Sequence, residues 1–354
     1  MSRFRVSHYR ELVPYVPGEQ PRGGSYIKLN TNESPFPPSP EALARGREAL
    51  ALSALYPDPT MQSLREAIAD CLGVSPDSVL PTNGSDEILN FAFAAFCDGG
   101  TPAVFPDITY GFYSVFAELY RLPTKIIPLR EDFGIEPSDL FEAGGTVFLA
   151  NPNAPTGRAL PLSAIEEILA HNRDNIVLID EAYVDFGAES AVSLLPRYEN
   201  LVVARTFSKS RSMAGARLGF GVASPALIED LTAIKDSTNP YNVSRATAAM
   251  GIGSLADADY FEANRRSIIE TRETVREGLL ALGFSVLPSS ANFLFARHGA
   301  LGGRDFYLAL KERGVLVRHF ENPRIADYNR ITVGSAAEMQ EFLRITKEIL
   351  EELS

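Results

Sequence analysis

Three short apolar runs end in residues that could do chemistry together. Val147–Ala150 is followed by Asn151-Pro152-Asn153-Ala154-Pro155-Thr156-Gly157, a rigid turn that carries amides. Ile176–Ile179 leads into Asp180-Glu181-Ala182-Tyr183, a carboxylate with a phenol. Leu201–Ala204 leads into Arg205-Thr206-Phe207-Ser208-Lys209, hydroxyls with a lysine. A carboxylate at the end of a buried run is costly unless it meets a cation. A lysine beside Ser208 in a segment that is not basic is a candidate for Schiff-base chemistry, which needs a depressed pKa and a carbonyl partner.

Together these groups point to a cofactor with an aldehyde at one end and a protonated ring nitrogen at the other. Pyridoxal 5′-phosphate (PLP) has both, and its protein handles are a lysine and an acidic partner for the ring nitrogen. Its phosphate would find a cradle at Asn83-Gly84-Ser85-Asp86-Glu87, where a turn opens a helix whose free amides favour an anion. Ser208 and Arg217 add a hydroxyl and a guanidinium fork.

The elements that must position these groups alternate, helix with strand. Ala103–Phe105, Val147–Ala150, Ile176–Ile179, Leu201–Ala204 and Phe220–Ala223 are continuous apolar runs, the pattern of strands buried on both faces. Helical patterns occupy Asp86–Phe96, Tyr113–Leu119, Leu162–His171 and Pro225–Lys235, and a further helix starts near Met61 and stops at Gly73. This predicts an α/β domain with a mainly parallel sheet between helices, and ligands in such sheets bind outside the carboxyl ends of the strands. Residues 30–60, rich in proline, read as loop. After a long helical stretch, Ser244–Leu282, the runs Phe293–Ala296, Val315–Val317 and Ile331–Val333 alternate with helices near Asp305–Arg313 and Ala336–Glu352, the pattern of a smaller α+β unit.

The ordered segments Asn30-Thr31-Asn32-Glu33, Tyr56-Pro57, Gly84-Ser85-Asp86-Glu87, Thr109-Tyr110, 151–157, Asp180-Glu181-Ala182-Tyr183, Ser208-Lys209, 214–219 and Arg330-Ile331-Thr332-Val333-Gly334 span nearly the whole chain. The set resembles the fold-type I PLP-dependent aminotransferases, and within them the histidinol-phosphate aminotransferases. The resemblance implies that Lys209 forms the Schiff base and shuttles a proton, that Asp180 keeps the ring nitrogen protonated, and that Tyr183 bonds the phenolic oxygen of PLP. It implies that Tyr110 stacks on the ring, and that Gly84, Ser85, Asp86, Thr206, Ser208 and Arg217 lie at or beside the phosphate. Arg330 would grip a substrate carboxylate or phosphate, with Arg318, Tyr15 and Asn32 as further substrate contacts. Tyr56 would reach the cofactor of a neighbouring subunit, making a homodimer the catalytic unit. In many relatives an asparagine directly precedes Pro-Thr-Gly and bonds the PLP oxygen. Here that position is Ala154, so either Asn153 takes over or Tyr183 acts without an amide. The implied division is an N-terminal arm (1–45) belonging with the small domain and the substrate site, a large PLP-binding domain (46–255) and a small C-terminal α+β domain (256–354).

The implied reaction passes an amino group from L-histidinol phosphate to 2-oxoglutarate, giving imidazole acetol phosphate and L-glutamate. Transamination of aromatic amino acids or decarboxylation of phosphothreonine on the same scaffold stays open at this point, as does a PLP-sensing regulator without turnover. Taken singly, the residues have ordinary readings: Asp180 as a helix cap, Lys209 as a solvated lysine, Tyr110 as core, Tyr56 as a turn residue, Arg330 and Arg318 as rim charges. Their order and placement favour function. The 354 residues carry 33 Lys plus Arg against 45 Asp plus Glu, a net of −12. That acidity argues against a nucleic-acid or anionic-membrane binder. His8, His171, His298 and His319 lack metal-ligand spacing, so no metal site is expected. The first residues lack the apolar core of a signal peptide and the two cysteines make no disulfide framework, so a cytoplasmic enzyme is expected. The proposed ligands are anionic, so the site should be locally positive inside an acidic shell.

Overall fold

The computed structural model describes residues 2–10, 12–20 and 26–352. The chain opens with β1 (Ile27–Lys28), α1 (Pro40–Leu50), α2 (Gln62–Leu72), β2 (Val79–Thr82), α3 (Ser85–Phe96) and β3 (Ala103–Pro106). It continues through α4 (Phe112–Tyr120), β4 (Thr124–Ile127), β5 (Thr146–Ala150), α5 (Leu162–Ala170), β6 (Val177–Asp180), β7 (Leu201–Thr206) and β8 (Gly219–Ala223). Next come α6 (Pro225–Thr238), α7 (Arg245–Ala256), α8 (Ala258–Ala281), β9 (Phe284–Val286) and β10 (Phe293–His298). The chain ends with α9 (Gly303–Glu312), β11 (Val315–Leu316), β12 (Arg318–His319), β13 (Asn329–Thr332) and α10 (Ala336–Glu351).

Seven strands form the main sheet in the order β2-β8-β7-β6-β5-β3-β4. Neighbours from β7 to β4 run parallel, and β8 runs antiparallel to both β7 and β2. The central strands are apolar throughout because both faces are covered, and successive side chains go to opposite faces. Val147, Val177, Ile179 and Val203 pack with Ile68, Ile165 and Ile168 on one side, while Phe148, Leu178, Val202 and Ala204 pack with Ile88, Phe93 and Tyr113 on the other. The register sets Ala150 opposite Asp180 and Asp180 opposite Ala204. The ends of β5, β6 and β7 are therefore level, and the three loops that follow them emerge side by side.

A second sheet, β12-β13-β10-β9, is antiparallel and packs with α8, α9 and α10. β1 joins this region by pairing in parallel with β11, which ties the N-terminal arm to the C-terminal part of the chain. The stretch 30–60 is not all loop. Ser39 accepts from the Ala42 amide at 3.1 Å and Pro40 occupies the first turn, so one of the prolines that suggested a loop starts α1. The stretch Ser244–Leu282 is two helices, broken at Asp257. β2 and β4 escape the apolar-run criterion because they are the sheet's edges: β2 contains Pro81, tolerable only there, and β4 is largely exposed. Among the described residues no helix is long and apolar enough to cross a membrane.

Candidate active site

A cavity of about 580 Å³ opens at the carboxyl ends of the parallel strands. Its walls include Asp180, Tyr183, Thr206, Ser208 and Lys209 from the aligned loops, with Ser85, Asp86 and Tyr110 from the loops before α3 and α4. Arg318 and Arg330 enter from the second sheet, and Tyr15 and Asn32 from the arm. The site is thus built between the two sheets.

Asp180 closes β6 and is 4 % exposed. Its Oδ1 accepts from the Ala182 amide at 3.1 Å and its Oδ2 from the Tyr113 phenol at 3.1 Å. Burial pushes its pKa up to about 6, against the pull of those two donors. Lys209 donates from Nζ to the Thr31 carbonyl at 3.2 Å, and Nζ lies 5.7 Å from the centroid of the Tyr183 ring. Burial, and then the nearby Arg330 guanidinium, bring its pKa down to about 8. Such an amine carries a sizeable neutral fraction near neutral pH, the state a nucleophile needs.

The lysine loop is held from below. Ser210 donates to the carboxylate of Asp185, which forms an ion pair with Arg205. Glu181 is buried, accepts from Ser190 and the Ala191 amide, and lies 3.8 Å from Arg205. This group binds the segment after β6 to the segment after β7. Neither the Arg205–Asp185 pair nor its contacts with Ser210 and Glu181 was assigned from the sequence, because such residues taken singly read as ordinary polar positions.

The turn and helix start expected to cradle an anion are formed. Gly84 caps α3 with no side-chain bond to the first turn, at φ 79°, a left-handed conformation that glycine adopts without strain. A Cβ on Gly219 would stand 2.4 Å from the Ser85 amide nitrogen, so that position too must be glycine for β8 to pass the helix start. Asp86 accepts from the Tyr110 phenol at 2.7 Å and pairs with Arg217 Nη2 at 3.3 Å, which places the aromatic ring and the guanidinium around one carboxylate. The Ser208 amide donates to Thr206 Oγ1 at 3.1 Å.

Two expectations change. Asn153 does not reach the cavity. Its amide donates to the Ile108 carbonyl at 3.0 Å and to Thr156 Oγ1 at 3.1 Å, and its oxygen accepts from Thr109 at 2.8 Å. Its capacity is engaged in bracing the turn, and Ala154 lines the wall instead. The amide beside Tyr183 comes from Asn32, whose Nδ2 donates to the phenol oxygen at 2.9 Å. Tyr56 lies outside this cavity; it is 76 % exposed and stacks on Tyr241 with ring centroids 4.5 Å apart.

The charges sort by partner. Of the acids lining the cavity, Glu33 pairs with Lys28, Asp107 with Arg324 and Asp86 with Arg217. Arg330 donates only to the Asn30 carbonyl at 3.1 Å, and its buried Nε has no hydrogen-bond partner among the described residues. Arg318 bonds the Pro17 and Val16 carbonyls at 3.4 and 3.3 Å. Neither guanidinium meets a carboxylate, so the unpaired charges are Lys209, Arg318 and Arg330 against Asp180. The interior is positive although the chain is acidic.

These residues fit PLP. An amine of lowered pKa suits the aldehyde, a buried carboxylate the ring nitrogen, a phenol the ring oxygen, and an uncapped helix start with Arg217 the phosphate. Arg330, whose buried Nε has no hydrogen-bond partner among the described residues, lines the same cavity.

Comparison with known proteins agrees. Residues 25–345 match the sequence model of aminotransferase class I and II. The chain is 48 % identical over 351 residues to histidinol-phosphate aminotransferase 1 of Methylococcus capsulatus, covering 99 % of this chain and 98 % of that protein. It is 45 % identical to the histidinol-phosphate aminotransferase of Clostridium acetobutylicum, covering 99 % and 100 %. The crystal structure of histidinol-phosphate aminotransferase from Sinorhizobium meliloti in complex with pyridoxal-5′-phosphate superposes with a TM-score of 0.85 at 26 % identity, covering 93 % of this chain and 92 % of that one. With a fold-type I architecture and a matching sequence over nearly its whole length, the chain belongs to the aminotransferase class I and II family.

Proposed function

We propose that this chain is a PLP-dependent aminotransferase that takes the amino group of L-histidinol phosphate and passes it to 2-oxoglutarate, giving imidazole acetol phosphate and L-glutamate. The observation that carries the substrate assignment is the pair of unpaired guanidiniums, Arg330 and Arg318, beside Lys209. A ping-pong enzyme must accept both partners in one site, and here one partner ends in a phosphate and the other in a carboxylate. Guanidinium forks bind either group in two-point fashion, and no protein acid competes. The names of the relatives at 45–48 % identity support the same choice.

In this reading PLP supplies an aldehyde that holds the amino group and a ring that draws electrons from the substrate carbon. Lys209 would hold the cofactor through Nζ and would move a proton at the substrate carbon. Asp180 holds the proton on the ring nitrogen, Tyr183 with Asn32 bonds the ring oxygen, and Tyr110 packs against the ring. Ser85, Asp86, Thr206, Ser208 and Arg217 hold the phosphate, Ser85 and Asp86 chiefly through backbone amides. Tyr15 shields the substrate side.

The large unit, residues 46–255, carries the cofactor, while the arm and residues 256–354 close the substrate side. The enzyme works in the cytoplasm as a homodimer in which Tyr56 completes the partner's site. The test is a spectral half-reaction screen in which the cofactor-loaded protein meets histidinol phosphate, glutamate, phenylalanine and phosphothreonine separately. Histidinol phosphate and glutamate should convert the cofactor fastest. A faster reaction with phenylalanine, or carbon dioxide release from phosphothreonine, would reject the assignment.

A further inference from the structure

We propose that Tyr113 is a positioning residue for this reaction: its phenol holds Asp180 ionised and in one orientation without supplying a charge that would compete for it. The inference rests on the cofactor reading above and adds to it a residue that never touches the cavity.

Tyr113 lies on α4 and is fully buried. Its ring meets Phe105 edge-on at 5.9 Å, Phe148 at 5.9 Å and Phe93 at 6.4 Å, and stands perpendicular to Tyr110 at 5.8 Å. A phenylalanine would meet every one of these packing demands. A hydroxyl amid aromatic rings is unfavourable unless it is bonded, and among the described residues this one donates to Asp180 Oδ2 at 3.1 Å. Burial and the nearby Asp180 and Asp86 carboxylates push the phenol well above its ordinary pKa, so it stays a donor.

The neighbouring acids show what is distinctive. Asp185 forms an ion pair with Arg205, and Glu181 lies 3.8 Å from the same guanidinium. Among the described residues Asp180 receives two donors, both neutral, the Tyr113 phenol and the Ala182 amide. Of the charged groups around it, Asp86 disfavours its ionisation and Lys209 favours it, and neither is bonded to it. A carboxylate held by neutral donors keeps its charge for a cation that arrives with the ligand. An arginine in place of Tyr113 would neutralise it beforehand.

The test is Tyr113→Phe, which removes one oxygen and leaves the packing. Losing the donor raises the pKa of Asp180, so the acidic limb of kcat/KM should move to higher pH by roughly one unit. The dissociation constant of PLP from the apoprotein should rise about tenfold at about pH 5 but only about twofold at about pH 7, with the gap to the unaltered protein closing above about pH 8. A uniform loss at every pH would mark a merely structural role and overturn the inference. Monofluorotyrosine at position 113, a stronger donor, should move the limb the other way. If Tyr113→Phe does not fold, an unmoved limb in the fluorotyrosine protein overturns the inference by itself. Failure of the unaltered protein to bind PLP would instead reject the function, whereas normal binding with an unchanged variant would reject only the role of Tyr113.

Discussion

Asn32 and Tyr183 are 151 residues apart in sequence, and the amide of the first donates to the phenol oxygen of the second at 2.9 Å. Asn32 is buried with φ 55°, its amide and side-chain oxygen both meet the Thr332 hydroxyl at 3.0 Å, and its carbonyl accepts from Asn292 at 3.1 Å. The phenol therefore receives one bond from the arm and keeps its own proton to donate into the cavity. The arm and the second sheet reach the chemistry through this contact.

The relationship separates two roles for Asn32. As a substrate contact, its loss would raise KM. As the orienting group for Tyr183, Asn32→Ala should lower kcat about tenfold, the loss of one hydrogen bond to a reacting centre, with KM nearly unchanged. Thr332→Val should give a smaller effect in the same direction. Steady-state kinetics with histidinol phosphate decide, and a rise in KM at constant kcat would return Asn32 to the substrate side.

How much of this the sequence carried differs from residue to residue. That Asp180 and Lys209 line one cavity was legible because continuous apolar runs mark doubly covered strands and these residues follow directly after them. Level register then made neighbours of residues about 30 apart. Tyr113 was not legible, since an aromatic at helical spacing among Phe112 and Phe116 reads as core, and only a contact 67 residues away distinguishes its hydroxyl. Asn153 was misplaced for a related reason. Its position in the turn was clear, but the direction of its side chain depends on Ile108 and Thr109, which sequence proximity does not reveal.

Lys209 makes the sharpest pH prediction. Its pKa, brought down to about 8, means that the reactive neutral amine is present at lower pH than on a solvent lysine. The rate at which the apoprotein captures PLP covalently should rise with pH through a midpoint near 8 and level off beyond it. A midpoint near 10.5, the ordinary lysine value, would contradict the enclosure described for this side chain. Lys209→Ala should abolish turnover and the visible absorbance of the bound cofactor.

Arg330 tests the anion site. Its Nε is buried without a hydrogen-bond partner among the described residues, and Arg330→Ala removes one bond to the Asn30 carbonyl and the guanidinium's contacts with the Phe293 and Phe320 rings. The KM for histidinol phosphate and for glutamate should each rise about tenfold to a hundredfold, as expected for a lost charge-assisted pair. Arg330→Lys should recover only part, because an ammonium cannot make the two-point contact. An effect on one substrate alone would show that phosphate and carboxylate are bound at different places.

The dimer prediction turns on Tyr56, which stands 76 % exposed, outside its own chain's cavity. Its ring stacks on Tyr241, Arg245 donates to its carbonyl at 2.6 Å, and it lines a second cavity that also touches Arg217. If it completes the partner's site, Tyr56→Ala should weaken PLP binding about tenfold by removing one phosphate contact. The decisive experiment mixes subunits. Tyr56→Ala and Lys209→Ala proteins are each impaired, but a mixed dimer has one site that takes its lysine from one chain and its tyrosine from the other. Unfolding and refolding the two together should restore turnover well above the sum of the separate proteins. Activity that stays at that sum would place Tyr56 in a purely local role and remove the reason for treating the dimer as the catalytic unit.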